Sequence, residues 1–335
     1  MRINSQSPNL RRLPLLGRWP AVGCALLLAC LALPAAAADG ADEGGPEDSP
    51  MWSPEAVRDL GVQPDMCESD DSGQQASFGP RAQRQTIRLA KYTAKSGDTV
   101  RGVAYRYFSS PSLLAYVNRI AFDRAADPAL PVGQVVQIPI ARGSLSGFAQ
   151  GEQLTPGPGI QMSLSNMDRK WGRPQVVKNL RQALNEVFKR WPQRHPAIVG
   201  SLSRAGGGRL GHHKSHRSGQ DIDIGYYTHA STMKDWGTPR LTEIDYERTW
   251  FLVDWLERSG HAAAVFMAPS IQRNLYAYAA NHGVPPSRLR MIFEYGPKGS
   301  RGDTLIRKMP GHRDHMHIRL WVPEDMGDVR AKLGV

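Results

Sequence analysis

Cysteine is scarce in this chain: its 335 residues include three, at Cys24, Cys30 and Cys67. The first two lie in an N-terminal segment with the features of an export signal. Processing near Ala38 would leave Cys67 alone, which excludes an intramolecular disulfide even in an oxidising compartment. Long apolar runs are also missing. The run from Ala21 to Leu33 covers about 13 residues, short of the roughly 20 that a membrane-spanning helix needs, and no later segment approaches that length. Acidic residues are in deficit, 31 against 42 Lys and Arg, for a formal net charge of +11. Residues 1–38 contain Arg2, Arg11, Arg12 and Arg18 but no acid or lysine, so the mature chain carries about +7. That balance favours an anionic polymer as partner. Nucleic acid is set aside, because an exported chain seldom meets it and no recognition-helix or base-stacking pattern is present.

The signal reading of residues 1–38 rests on the basic start, the short apolar core and Pro34-Ala35-Ala36-Ala37-Ala38, which offers Ala-x-Ala cleavage sites. The expected location is periplasmic. Leu27-Leu28-Ala29-Cys30 and Ala21-Val22-Gly23-Cys24 loosely resemble lipoprotein boxes, which leaves a lipid-anchored form open beside the free one. Residues 39–85 are rich in Gly, Asp, Glu, Ser, Pro and Gln and read as a disordered linker, with room for a short helix around Trp52 to Leu60.

From residue 86 to 141 the pattern becomes strand, helix, helix, strand. A strand runs from Ile87 to Ala94, and the turn Lys95-Ser96-Gly97-Asp98 leads into a helix from Thr99 to Tyr107 that Asp98 or Thr99 can cap. Pro111 opens a second helix ending at Asn118, and a turn at Leu130-Pro131-Val132-Gly133 precedes the closing strand. Residues 142–159, with many Gly, Ser and Pro, read as a linker. Residues 160–335 then form one mixed unit. Val176, Leu180, Ala183, Leu184, Val187 and Phe188 recur at helical spacing and stop before Trp191-Pro192. Ala197 to Leu202 reads as a strand, Phe251 with Trp255 and Leu252 with Leu256 as a helix, Ala262 to Ala268 as a buried strand, and Ile271, Leu275 and Ala279 as one more helix. The fold class expected is α+β, with an antiparallel-rich central sheet, flanking helices and a small β-α-α-β module ahead of it.

Six of the ten histidines fall in two clusters about a hundred residues apart, His212-His213-x-x-His216 and His312-x-x-His315-x-His317. In Asp221-Ile222-Asp223-Ile224-Gly225-Tyr226, strand alternation puts both carboxylates on one face and Ile222, Ile224 and Tyr226 on the other. By the same period His315, His317, Arg319 and Trp321 share a face, while Met316, Ile318 and Leu320 point to the core. Small and polar residues from Ser215 to Gly219 place His216 on a loop that can fold back toward Asp223. His216, Asp223 and His317 are therefore the expected ligands of a zinc ion with water in the fourth position, a donor set that suits amide hydrolysis. His315, two residues before His317, is the expected general base, with Asp314 as a rival that alternation points away. His213 and His312 remain open as fourth ligand, oxyanion donor or supporting residue, and Asp221 as the partner of a ligand's free ring nitrogen. The glycines of Ser203-Arg204-Ala205-Gly206-Gly207-Gly208 lack a following Gly-Lys-Ser/Thr and apolar helix, so a substrate-facing loop is expected there instead of a phosphate loop.

Two resemblances follow from these residues. Tyr92-Thr93-x-Lys95-x-Gly97-Asp98-Thr99, Val103-Ala104, Asn118 and Val132-Gly133-Gln134-x-x-x-Ile138-Pro139 resemble a LysM module, which implies binding to N-acetylglucosamine-containing glycans, chiefly peptidoglycan. Ser203-Arg204-x-Gly206-Gly207-Gly208, His213-x-x-His216-x-x-Gly219-x-Asp221-x-Asp223 and His312-x-x-His315-x-His317 are similar to the penicillin-insensitive murein endopeptidases, which share a fold with D-Ala-D-Ala carboxypeptidases and the hedgehog signalling domain. That resemblance implies Zn2+ at His216, Asp223 and His317, with His213 near enough to join, and cleavage of D-alanyl-diaminopimelate cross-links. The enterobacterial members carry disulfides that a single mature cysteine cannot form. Two other readings stay open: a D,D- or L,D-carboxypeptidase trimming stem peptides, and a non-catalytic wall-binding protein.

Overall fold

The computed structural model describes residues 87–123, 126–141, 151–164, 167–210, 213, 215–230, 236–295 and 303–321. The export signal, the 39–85 linker with its short helix, and residues 142–150 lie outside the described residues.

The N-terminal module has the expected order: β1 (Ile87–Thr93), α1 (Val100–Arg106), α2 (Pro111–Asn118) and β2 (Val135–Ala141), with β1 and β2 antiparallel. Thr99, not Asp98, caps α1, its hydroxyl accepting from Gly102 N at 3.1 Å. Asp98 has other partners: its carboxylate accepts from Tyr92 OH at 2.6 Å, Lys95 N at 2.7 Å and Arg106 Nη2 at 3.0 Å. Asn118 closes the module as a backbone surrogate, donating to the carbonyls of Leu114 and Gln137 and accepting from Gln137 N.

The larger domain is built on a six-stranded sheet in the order β4-β6-β7-β10-β8-β9. Its members are β4 (Ile160–Met162), β6 (Ala197–Val199), β7 (Asp221–Gly225), β8 (Ala262–Met267), β9 (Ile306–Lys308) and β10 (His315–Leu320). The three central pairings are antiparallel and the two outermost are parallel, so the fold is α+β with an antiparallel-rich centre. Among the described residues, four helices flank it: α3 (Pro174–Arg190), α4 (Tyr246–Ser259), α5 (Pro269–Asn281) and α6 (Pro286–Ile292). Helix α3 shows how the pattern becomes structure. Pro174 starts it at a position where a missing N–H costs nothing, and Val176, Val177, Leu180, Ala183, Leu184 and Val187 form its buried stripe. Truncating Leu184, which is fully buried, would cost about 2–5 kcal/mol.

The stretch expected as a linker up to residue 159 has a place in this domain from Gly151 on. There β3 (Glu152–Gln153) pairs with β5 (Trp171–Gly172), and Leu154 is buried in the same core as α3. Glycine is required next door: Gly159 has φ 75, and a Cβ there would sit 2.5 Å from the Leu184 carbonyl. Among the described residues, no helix is long and apolar enough to cross a membrane.

Candidate metal centre

Strands β7 and β10 pair in a register that sets His317 opposite Asp223 and Arg319 opposite Asp221. Ile222, Ile224, Met316, Ile318 and Leu320 on the reverse face are fully buried in the core. This anchors the polar face, since slipping one residue would drive every charged group into the core. The third element is the loop entering β7. His216 has φ 61, in the left-handed region, and Gly219 beyond it has φ 68. A positive φ at a histidine persists only where its surroundings hold it. Here His216 Nδ1 hydrogen-bonds the Leu202 carbonyl at 2.7 Å.

Three donor atoms meet as a result. His216 Nε2 lies 3.1 Å from Asp223 Oδ1, and His317 Nδ1 lies 3.0 Å from that same oxygen. Each imidazole has its other nitrogen engaged, His216 with Leu202 and His317 with Asp221 Oδ1 at 2.9 Å. Asp221 is held in turn by Arg319, whose Nε donates at 2.8 Å. His213 stands at the edge of the group: its ring is 5.0 Å from that of His216, and His213, His216 and Asp223 each offer a donor atom within 4.8 Å of the others.

Electrostatics suit a cation at this point. Burial works against charge on Asp223, but His216 and His317 outweigh it and hold the carboxyl well below the usual range. Asp221 is likewise held well below that range, with Arg319 and His317 overcoming its burial. Burial pulls His317 down while its bonds to Asp221 and Asp223 push it up, to about 9. The pocket thus stabilises a positive charge between two buried carboxylates. Tetrahedral zinc with bonds of 2.0–2.1 Å sets its ligands about 3.3 Å apart, close to the 3.1 and 3.0 Å that separate Asp223 Oδ1 from His216 Nε2 and His317 Nδ1. Two imidazole nitrogens and a carboxylate oxygen, with supporting bonds that fix each ring, therefore fit a first-row divalent ion.

Beside the donors, His315 is half-buried with Nε2 3.6 Å from Asp223 Oδ1 and Nδ1 2.7 Å from Asp314 Oδ1. Strand β10 begins at His315, so Asp314 falls in the preceding turn, and its carboxylate turns to the ring of His315. It is a partner of that imidazole. Those contacts overcome burial and keep the Asp314 carboxyl below its ordinary range. His312 lies 4.7 Å from the His315 ring, centroid to centroid, and hydrogen-bonds the Pro310 carbonyl through Nδ1. Burial, then the neighbouring His315 and His317, bring His312 down to about 4. His213 is lowered too, by burial and by His216.

The residue missed from sequence is Trp236. Its Nε1 donates to Asp314 Oδ2 at 2.7 Å and its ring lies 5.4 Å from that of His315. Gly200 makes room for it, because a Cβ there would come within 2.7 Å of the indole. The one cue was an indole isolated in a polar, Gly- and Pro-bearing stretch with no apolar period. Opposite, the loop from Ser201 runs through Gly206, Gly207 and Gly208, all at positive φ between 78 and 88. The Gly208 amide donates to Arg217 O at 2.9 Å, which ties this loop to the one carrying His216.

Residues 140–249 match the family model described as penicillin-insensitive murein endopeptidase, and residues 92–139 match that of the LysM domain. The penicillin-insensitive murein endopeptidase of Haemophilus influenzae is 28% identical over 205 residues, which cover 54% of this chain and 62% of the relative. That of Klebsiella pneumoniae is 24% identical over 223 residues, covering 63% and 76% respectively. The chain thus spans less than two thirds of the Haemophilus relative's length. The first family match ends before His312, so the part played by the second histidine cluster rests on the geometry above.

Proposed function

We propose that this chain, whose residues 140–249 match the penicillin-insensitive murein endopeptidase family model and whose residues 92–139 match that of the LysM domain, is a zinc-dependent D,D-endopeptidase. Its expected substrate is the D-alanyl-diaminopimelate cross-link of peptidoglycan, with glycan strands held by the LysM module. The supporting observation is the convergence of His216 Nε2, Asp223 Oδ1 and His317 Nδ1, each imidazole oriented by a second partner. These three side chains would hold the zinc, with His213 placed to join them. Zinc bound there supplies Lewis acidity toward water and a carbonyl oxygen.

The remaining work falls to side chains of this protein. Asp314 accepts the Nδ1 proton of His315, which leaves Nε2 as a base facing the site. His315 takes a proton as water oxygen bonds to the D-alanyl carbonyl carbon, then delivers one to the departing diaminopimelate nitrogen as the C–N bond breaks. Water oxygen ends in the new D-alanyl carboxylate and the peptide nitrogen leaves as an amine. Trp236 fixes the Asp314 carboxylate and with it the His315 ring. His312, neutral at physiological pH and engaged through Nδ1, presents Nε2 as an acceptor for a substrate N–H beside His315. No serine acyl-enzyme forms, so β-lactam acylation has no target.

The positive balance of the mature chain suits an anionic wall polymer, and the N-terminal segment suits export to the periplasm. Digestion of purified cross-linked peptidoglycan tests the reading. Dimeric muropeptides should convert to monomers, chelation should stop the conversion, and added zinc should restore it. Dimers that persist while monomers release free D-alanine would mean a carboxypeptidase. No product under any metal condition would mean a wall-binding protein.

A further inference from the structure

The LysM module and the peptidase fall in one compact unit, and the surface between them is built like an interior. Arg101 on α1 forms an ion pair with Glu257 on α4 at 2.8 Å, both side chains only 3% exposed, and also donates to the Glu257 carbonyl at 2.9 Å. Arg288 of α6 joins Glu257 from the peptidase side. Buried charges of this kind add little net stability, but they select one relative placement, because undocking would leave specific groups unmatched. The backbone crosses the boundary as well: Ser112 N donates to Gly260 O at 3.0 Å, and the Ser112 hydroxyl meets His261 Nδ1 at 3.0 Å. Gly260, at φ 72, lies so near Phe122 that a Cβ would meet its ring at 2.5 Å. Tyr105 of the module is buried within the peptidase core.

Phe108 carries the contact inward. Its φ is 53, a conformation that a bulky L-residue keeps only when its surroundings enforce it. The enforcement comes from the peptidase. Arg307 on β9 lies over the Phe108 ring at 5.2 Å and donates to the Tyr105 carbonyl at 2.8 Å, and the Phe108 ring stacks on Phe266 of β8 at 6.2 Å. Phe266 stands opposite His317 in the β8–β10 pairing, with its ring 5.4 Å from the imidazole in edge contact. One aromatic ring therefore separates the LysM module from a metal-binding histidine.

We propose that the LysM module is docked as a fixed part of the peptidase, and that Phe108 is a positioning residue for His317, acting through Phe266. A tethered module would only raise the local concentration of substrate, whereas a docked one also fixes the direction in which the wall polymer approaches the site. The positioning half of this inference rests on the metal reading of the site; the docking half does not.

Hydrogen exchange and chelator competition on the full-length chain test the two halves, and neither needs a murein substrate. Ser112 is the second residue of α2, where an amide has no acceptor within its own helix, so protection of that amide reports the bond to Gly260 alone. The wild type should protect it. Phe108→Gly relieves the positive φ yet removes the ring, and it should speed Ser112 exchange and weaken zinc binding by about tenfold or more. Phe108→Leu, which keeps an apolar side chain, should restore both. A Ser112 amide that exchanges freely in the wild type would overturn the docking. A Phe108→Gly chain with undiminished zinc affinity and greater stability would overturn the positioning role, because Phe108 would then be merely a strained turn residue. A wild type that binds no zinc would overturn the metal reading, with Ser112 still deciding the docking.

Discussion

His317 stands on a strand paired on both sides, with Met316 and Ile318 sealed in the core beside it, whereas His216 stands on a loop at positive φ and is oriented by one bond to the Leu202 carbonyl. Both reach the same oxygen of Asp223, at 3.0 and 3.1 Å. The strand histidine is placed by a ladder and a core that the whole domain shares, so its geometry comes with the fold. The loop histidine is placed by backbone conformations that few residues tolerate, so its geometry can be lost while the fold survives.

Four substitutions would break or sharpen that contrast. Asp223→Ala removes the oxygen at which loop and strand meet and should have the largest effect. Zinc content should fall to background and kcat/KM on dimeric muropeptides should drop by at least about 10³-fold. His315→Ala should lower turnover by about 10²- to 10⁴-fold while zinc is retained, which separates proton transfer from metal binding. Asp221→Asn tests the strand's own support. With the carboxylate behind His317 gone, zinc affinity in chelator competition should fall by about 10- to 100-fold, and unchanged affinity would show that the ladder alone suffices. Gly208→Ala probes the loop side, where φ is +88 and a Cβ would meet nothing within 4 Å. Its cost is purely conformational: about 1 kcal/mol in denaturant unfolding, with the zinc content unchanged.

The same contrast explains what could be read without coordinates. Alternation in Asp221–Gly225 and His315–Leu320 picked out the face that carries Asp221, Asp223, His315 and His317, because a strand's period of two is rigid and its apolar partners are unmistakable. Helix α3 was legible for the same reason, its apolar stripe repeating from Val176 to Val187. The role of Asp314 was not. It depends on strand β10 starting at His315, and element ends are the least determined part of a sequence pattern. Trp236 was missed because its partners, Asp314 and the space left by Gly200, lie far away in sequence and belong to no periodic element. Residues 151–159 read as linker from their glycines and prolines, yet Leu154 ties that segment into the core and β3 pairs it with β5. Strand β9 is only three residues long, too short for any period to show.

Zinc content of the purified wild type, His216→Ala and His317→Ala, measured by mass spectrometry at matched concentrations, tests most directly whether the two clusters build one site. One zinc per chain in the wild type and almost none in either variant is the result predicted. Zinc retained in His216→Ala and lost only in His317→Ala would contradict the account, because the loop would then supply no ligand.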